Sequence, residues 1–104
     1  MSAFVVFSTT KDARSARKIA RVLVGKKLAA CVSYQGGWKS VYRWKHKIEA
    51  TGEVLILVKT TSAKLKTLQK TLREIHPYEI PEILALPAKG GDAGYLRWLR
   101  EALK

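Results

Sequence analysis

The stretch IHPYEIPEILALP, residues 75–87, decides how this chain folds, because it holds all three prolines of the sequence. Pro77 disfavours helical geometry in the residue before it, so a helix that precedes this stretch must end near His76. Pro81 and Pro87 have no N–H to donate inside a central sheet, and we expect them to begin and end a short strand. The stretch therefore predicts a rigid connection from a helix to a last strand, in which a histidine needs no catalytic purpose.

The spacing of apolar residues predicts the other elements. Short apolar runs, rich in β-branched and aromatic residues, predict strands over residues 3–7, 28–34, 54–58 and 83–86. Apolar residues at helical spacing predict helices over residues 13–25, 62–76 and 93–103. The first helix follows the capping-rich segment of residues 9–12, and Ser62 is the expected cap of the second helix.

The middle of the chain, residues 38–49, is charged and alternates polar with apolar side chains, which indicates a strand with one face in water. Gln35, Gly36 and Gly37 before it predict a turn or a bulge. Thr51 and Gly52 are expected to turn the chain into the next strand.

This order of strands and helices gives two β-α-β units that share one sheet. We therefore predict an α+β fold of the ferredoxin-like kind, an antiparallel sheet with helices on one face. The opposite face carries apolar and aromatic side chains, so it needs either a ligand or another protein chain to cover it.

Length and composition predict one globular domain over residues 1–104, because 47% of the residues are hydrophobic and 27% are charged. No apolar run approaches the ~20 residues of a membrane span, and the first residues do not resemble a signal peptide. The lone Cys31 cannot form an internal disulfide. These features favour a cytoplasmic protein without a membrane partner.

The net charge of +12 is the least ordinary property of the sequence. Such a charge attracts polyanions at low salt, but we favour solvated helix faces and edge-strand lysines as its explanation, because a solubilising surface needs no site geometry. Residues 53–59 hold no aromatic side chain to stack a base, as an RNA-recognition sheet would require. We therefore expect nucleic acid to bind only non-specifically and at low salt.

Five motifs in this order and spacing resemble the CutA family, the divalent-cation tolerance proteins. They are LAACV at residues 28–32, SVYRW at 40–44, EVLILVKT at 53–60, HPYEIPE at 76–82 and YLRWL at 95–99. The resemblance covers essentially the whole chain. It implies a ferredoxin-like protomer in a tight homotrimer that is similar in architecture to PII signalling proteins, and a role in metal tolerance or signalling.

The resemblance also implies a cleft between subunits that is lined by polar and aromatic members of these motifs. The candidates for this cleft are Tyr42, Trp44, Glu49, Glu53, Lys59, His76, Tyr78 and Glu82. They could equally form a network of salt bridges and hydrogen bonds that holds the trimer together. Recognised enzyme motifs are absent from the sequence, so we expect a protein that is not an enzyme, with a small ligand or a catalytic site in the cleft as the alternative.

The metal-ligand candidates are His76 and Cys31, with His46 as a possible helper, because thiolate and imidazole suit copper and zinc. In the CutA family, copper binding is associated with a cysteine that ends the first strand and with a His-His pair before the proline. This chain has Ser8 and Ile75 at those positions, and only His76 is kept. We therefore expect no firm cofactor, and at most weak binding of copper or another divalent metal.

Overall fold

The computed structural model describes residues 2–104 and confirms the α+β class; Met1, the first residue of the predicted domain, lies outside the described residues. The elements follow in the order β1 (Ala3–Thr10), α1 (Ala13–Gly25), β2 (Cys31–Trp44), β3 (Lys47–Thr61), α2 (Ser62–Ile75), β4 (Leu84–Pro87) and α3 (Ala93–Ala102).

The four strands form one sheet in the order β2-β3-β1-β4, with each neighbouring pair antiparallel. The crossovers β1-α1-β2 and β3-α2-β4 therefore interleave, which is the ferredoxin-like topology that the sequence predicts. β1 is central and pairs with β3 along its whole length, from Ala3 opposite Thr61 to Thr10 opposite Val54. β4 is a short edge strand, so Pro87 lies opposite Phe4 without a missing N–H inside the sheet.

The core lies between one face of the sheet and the helices α1 and α2. Even-numbered side chains of β3 point into it, because successive residues of a strand face opposite sides. The buried cluster contains Val6, Ala16, Ile19, Leu23, Leu28, Ala29, Val54, Ile56, Val58, Leu68 and Leu72. Burying a leucine or isoleucine of this kind stabilises the fold by roughly 2–5 kcal/mol relative to alanine.

The helix ends show how far local signals determine the boundaries. Asp12 caps α1 as expected, since its side chain accepts a hydrogen bond of 2.8 Å from the N–H of Ser15. The expected cap of α2 is wrong by one residue, because Thr61 holds the cap position and Ser62 is already helical. His76 ends α2 in an extended conformation, with ψ of 136°, as the following Pro77 requires.

The C-terminal helix α3 contacts β3 and buries Leu99 and Leu103 outside the main cluster. Burial, followed by the nearby Cys31, raises the pKa of Tyr95 in this helix. Cys31 lies opposite Lys59, an odd-numbered residue of β3 whose side chain points away from α1 and α2. We conclude that α3 covers part of the second face of the sheet, which the sequence alone did not establish.

β2 and β3 continue beyond the rest of the sheet as a two-stranded arm, residues 38–53. On the N-terminal side of Val54, β3 pairs only with β2, from Glu53 opposite Trp38 to Lys47 opposite Trp44. Gly37, with φ of 83°, lies in the bulge that the sequence predicts before the arm. The arm makes the protein elongated, with principal dimensions of 44 × 25 × 23 Å.

The turn at the tip of the arm is formed by Lys45 and His46, with φ angles of 49° and 69°. The predicted turn at Thr51 and Gly52 is therefore wrong, because both residues lie inside β3. Two successive positive φ angles match the right-handed twist of a hairpin, and they are normally provided by Asn-Gly. The sequence signal failed because neither lysine nor histidine marks such a turn.

The turn yields a first testable prediction. His46→Gly should raise the free energy of unfolding by about 0.5–1 kcal/mol, because it removes a left-handed strain of roughly 1–2 kcal/mol and adds a smaller entropy to the unfolded chain. Gly52→Ala is the matched control; it has open space for a methyl group and should leave stability unchanged or slightly raised. Denaturant unfolding at one fixed protein concentration measures both. If Gly52→Ala were strongly destabilising, the turn would have to be assigned to Thr51 and Gly52 instead of Lys45 and His46.

Candidate functional site

A cavity of about 600 Å³ lies between the arm and the connection from α2 to β4. The arm contributes Lys39, Ser40, Val41, Tyr42, Trp44 and Glu53 to its walls. The connection contributes Tyr78, Glu79, Ile80 and Glu82, and Thr9 at the end of β1 completes the lining. The cavity is thus built by three segments that are distant in sequence.

The pleat of the arm brings its polar and aromatic side chains to one face. Ser40, Tyr42 and Trp44 are spaced two residues apart on β2, so their side chains share a side of the hairpin. The cross-strand partner of Trp38 is Glu53, which belongs to the same side. The alternation noted in the sequence therefore presents two aromatic rings and a carboxylate to the cavity.

Glu53 is the buried acid of this site, with only 8% of its surface exposed. The hydroxyl of Tyr78 donates a hydrogen bond of 2.7 Å to its Oε2 atom. Burial, together with the hydrogen bond and the charge of Glu53, raises the pKa of Tyr78 well above its ordinary value. The phenol therefore stays protonated at neutral pH and acts as a permanent donor to the carboxylate.

The second oxygen of Glu53, Oε1, has no hydrogen-bond donor within residues 2–104. The fully buried side-chain oxygens that lack a partner in this part of the chain are Ser8 Oγ and Thr10 Oγ1, so Oε1 is not sealed off. Glu53 is therefore a buried carboxylate with one oxygen held by Tyr78 and the other without a donor, and it lines both this cavity and a neighbouring pocket that contains Lys11 and Lys39.

His76 lies behind Tyr78 and uses both ring nitrogens within the protein. The backbone N–H of Tyr78 donates to Nδ1 at 3.1 Å, so the proton is on Nε2, which donates to the carbonyl oxygen of Thr9 at 2.8 Å. The two rings also pack together, with centroids 4.9 Å apart. His76 therefore fixes the connection against β1, and a metal ion at either nitrogen would have to displace one of these contacts.

The surroundings keep His76 neutral. Burial lowers its pKa, and the opposing influences of the Thr9 carbonyl and the Glu53 charge do not reverse this direction. A neutral imidazole is also what the hydrogen bonds require, since Nδ1 must accept from Tyr78.

The predicted metal ligands are not brought together. Cys31 lies opposite Lys59, whereas His76 bonds to Thr9, which lies opposite Leu55; four residues along β3 correspond to about 13 Å. His46 is at the exposed tip of the arm. Within residues 2–104, no three His, Cys, Asp or Glu side chains are close enough to hold a metal ion together.

Of the predicted cleft residues, the structure gathers Tyr42, Trp44, Glu53, Tyr78 and Glu82 around the cavity, with His76 behind them. Glu49 lies on the same side of the arm, opposite Tyr42, but outside the lining. Lys59 lies elsewhere, where its Nζ atom donates to Ser33 Oγ at 2.8 Å.

The lining residues that sequence reasoning missed are Thr9, Lys39, Ser40, Val41, Glu79 and Ile80. The period of two along the arm could have indicated Ser40. Thr9 takes part through its backbone carbonyl, for which no side-chain pattern exists.

Fold and site together define a small α+β protein of ferredoxin-like topology, with an acidic and aromatic cleft beside a projecting hairpin. The family pattern described as CutA1 divalent ion tolerance protein matches residues 4–102. This chain belongs to that family.

Named relatives agree with this assignment. The chain is 44% identical over 97 residues to "Divalent-cation tolerance protein CutA" of Thermus thermophilus, a match that covers 93% of this chain and 94% of the relative. It is 42% identical over 100 residues to "Protein CutA" of Homo sapiens, covering 96% of this chain but only 56% of the human protein. The chain thus spans little more than half the length of its human and mouse relatives.

Solved structures share the whole architecture. The crystal structure of CutA from Xylella fastidiosa aligns with a TM-score of 0.96 at 38% identity, and each chain is covered completely. The structure of a divalent cation tolerance protein from Thermus thermophilus aligns with a TM-score of 0.93 at 43% identity, covering 96% of this chain and 97% of that one. Across residues 2–104, no helix has the length and hydropathy needed to cross a membrane.

The neutral state of His76 gives a second prediction. Because its pKa is lower in the folded than in the unfolded protein, the unfolded state binds more protons in the interval between the two values. The contribution of His76 to the free energy of unfolding is therefore fully present above about pH 6.5, and it should decrease as the pH falls from that value toward the lowered pKa. His76→Gln should flatten this slope between pH 5 and 7 in denaturant unfolding.

The other histidine provides the control for that measurement. His46→Gln changes an exposed residue at the tip of the arm and should leave the slope between pH 5 and 7 intact. A slope that disappears with His46→Gln and persists with His76→Gln would contradict the assignment.

Proposed function

We propose that this protein contributes to divalent-cation tolerance as a homotrimer without enzymatic activity, which binds a small ligand in the cavity beside the arm. The observation that carries the proposal is Glu53, a buried carboxylate held at one oxygen by Tyr78 and open at the other. Leaving such a group without a partner is unfavourable unless something binds there, because a desolvated charge needs compensation.

The state of His76 favours binding over catalysis. Both ring nitrogens are engaged with the backbone, so this residue has no free lone pair with which to act as a general base. Family names point in the same direction, since the Thermus thermophilus relative is called a divalent-cation tolerance protein.

A trimer is supported by the arm. An isolated two-stranded hairpin is only marginally stable in water, and this one exposes apolar side chains. Val41 and Ile48 are each about 70% exposed, and the register places both on the same side of the hairpin. Further apolar residues are exposed on the edge strand β4, at Leu84 and Leu86. These surfaces suit burial against further copies of the chain, in the arrangement that the resemblance to PII-like trimers implies.

We also propose that metal binding contributes little to the function of this protein. Copper or another divalent ion would bind weakly, since His76 is occupied and Cys31 lies far from it. The excess of positive charge also repels free cations from the surface as a whole.

For location and other partners we propose the cytoplasm, and only non-specific, salt-sensitive contacts with nucleic acid. The lone Cys31 and the basic helix faces support these two statements. A solved relative from Archaeoglobus fulgidus is described as periplasmic.

The third prediction concerns assembly and ligand together. Native mass spectra of the protein isolated from its own host should show a complex of three 11.7 kDa chains, about 35 kDa, that carries an additional small mass. Glu53→Gln should lose the additional mass and keep the complex. A monomer of 11.7 kDa at micromolar concentration would remove the proposal.

A matched pair of variants tests the role of the arm in that assembly. Ile48→Lys places a charge on the exposed apolar side of the hairpin and should shift the sedimentation equilibrium toward the monomer. Thr67→Lys adds the same charge on the exposed surface of α2 and should leave the complex intact.

The fourth prediction concerns metal. Calorimetric titration with Cu²⁺ should give a dissociation constant no tighter than micromolar, and His76→Ala or Cys31→Ala should change it by less than about threefold, because the two residues do not share a site. Tight binding abolished by His76→Ala would show instead that the imidazole is released to the metal.

A further inference from the structure

We propose that the ligand of the cavity is a small organic cation that carries one or two ammonium groups. This inference rests on the binding role proposed above and adds the chemical class of the ligand. It follows from four observations: the local charge, the absence of internal partners for that charge, the aromatic walls, and a cavity of organic-ligand size without a metal-binding cluster.

The cavity is negative in a protein that is otherwise strongly positive. The chain contains 20 lysines and arginines against eight acidic residues. Among the lining residues the balance is reversed, because three are acidic (Glu53, Glu79 and Glu82) and one, Lys39, is basic. Three of the eight carboxylates of the protein are thus concentrated around one cavity.

These carboxylates are not neutralised from within the described protein. Among residues 2–104, the ion pair closer than 4.0 Å joins Lys104 to Glu101, and neither residue lines the cavity. Glu53 is more than nine-tenths buried and yet keeps Oε1 free of any donor. An abundant supply of cationic side chains has therefore left three acids available to a ligand of opposite charge.

The walls between the acids are aromatic. Tyr42, Trp44 and Tyr78 line the cavity, and the faces of such rings attract ammonium groups within about 6 Å of the ring centre. Trp44 already shows this behaviour, because the Nζ atom of Lys45 lies 5.7 Å from the centre of its ring. Carboxylates beside aromatic faces complement a charged amine with an apolar body, since both parts of the ligand find a partner.

The geometry disfavours a bare metal ion in the same place. A divalent cation requires several oxygen ligands at about 2–2.6 Å, whereas no three acidic, cysteine or histidine side chains within residues 2–104 converge on one point. A cavity of about 600 Å³ is instead the size expected for an organic molecule. An anion would meet three carboxylates and a single lysine.

The overall charge determines how binding should be measured. At low ionic strength the distributed charge of +12 repels a cation before it reaches the cavity. At 0.15 M salt the screening length is about 8 Å, so the nearby carboxylates dominate. We therefore specify physiological ionic strength, where the local acids should outweigh the charge of the surface.

The experiment is a calorimetric titration of the intact assembly with 1,4-diaminobutane at pH 7.5 and 0.15 M salt, with 1,4-butanediol as the uncharged probe of equal length. We expect the diamine to bind at least tenfold more tightly than the diol. Glu53→Gln keeps an acceptor for Tyr78 but removes the charge, and it should weaken diamine binding about tenfold. Trp44→Leu should weaken it about threefold through the loss of a ring face.

Glu74→Gln is the matched control, because it removes the same charge from the exposed surface of α2 and should leave the affinity unchanged. Native mass spectra of each variant confirm that the assembly persists. Equal binding of diamine and diol, equal effects of the two glutamate variants, or full displacement of the diamine by 1 mM Mg²⁺ would each overturn the inference.

The two proposals fail in different ways. If a ligand is retained in native mass spectra but the diamine does not bind the ligand-free assembly, the cationic class is wrong and the binding role stands. If neither a retained ligand nor diamine binding is found, both proposals are wrong.

Discussion

The hydrogen-bonded chain Thr9–His76–Tyr78–Glu53 is the interaction on which the site depends. It joins the carbonyl end of β1, the end of α2, the connection to β4 and the base of the arm, through contacts of 2.8, 3.1 and 2.7 Å. Its last bond is to a buried carboxylate, and hydrogen bonds of this charged kind contribute about 1.5–3 kcal/mol. Without it, the connection and the arm would have no fixed relation, and the cavity between them would have no defined shape.

Pro77 lowers the entropic cost of forming this series of hydrogen bonds. A proline restricts both its own backbone and that of the residue before it, so α2 ends at His76 and the imidazole is left beside β1. Tyr78 then lies one residue past the proline, where its N–H reaches Nδ1 of the histidine and its hydroxyl reaches the arm. The question raised by the sequence, whether His76 serves chemistry or scaffold, is therefore answered by geometry: it positions Tyr78.

Sequence periodicity determined the parts of the fold that depend on burial. The apolar positions of β3 at a spacing of two, and those of α1 and α2 at helical spacing, identify the core because each element can bury only one face. The turn at Lys45 and His46 was not predictable in this way, since it depends on backbone angles that these residues adopt only under constraint from the paired strands. The site was predictable only in part: motifs identified Glu53, Tyr78 and Glu82, but bringing them together depends on a backbone carbonyl and on the bulge before the arm.

The separation of charges explains why so basic a protein can belong to a family named for divalent-cation tolerance. Most of its positive charge is carried by exposed residues of α1, α2 and the arm, whereas Glu53, Glu79 and Glu82 line one cavity, and Glu53 among them is buried. A buried charge such as that of Glu53 interacts more strongly than a charge on the surface, because the local dielectric is lower and salt screens it less. In the proposed function, net charge governs nonspecific association with polyanions, and the composition of one cavity governs selective binding. The two properties can have opposite signs because they act at different distances.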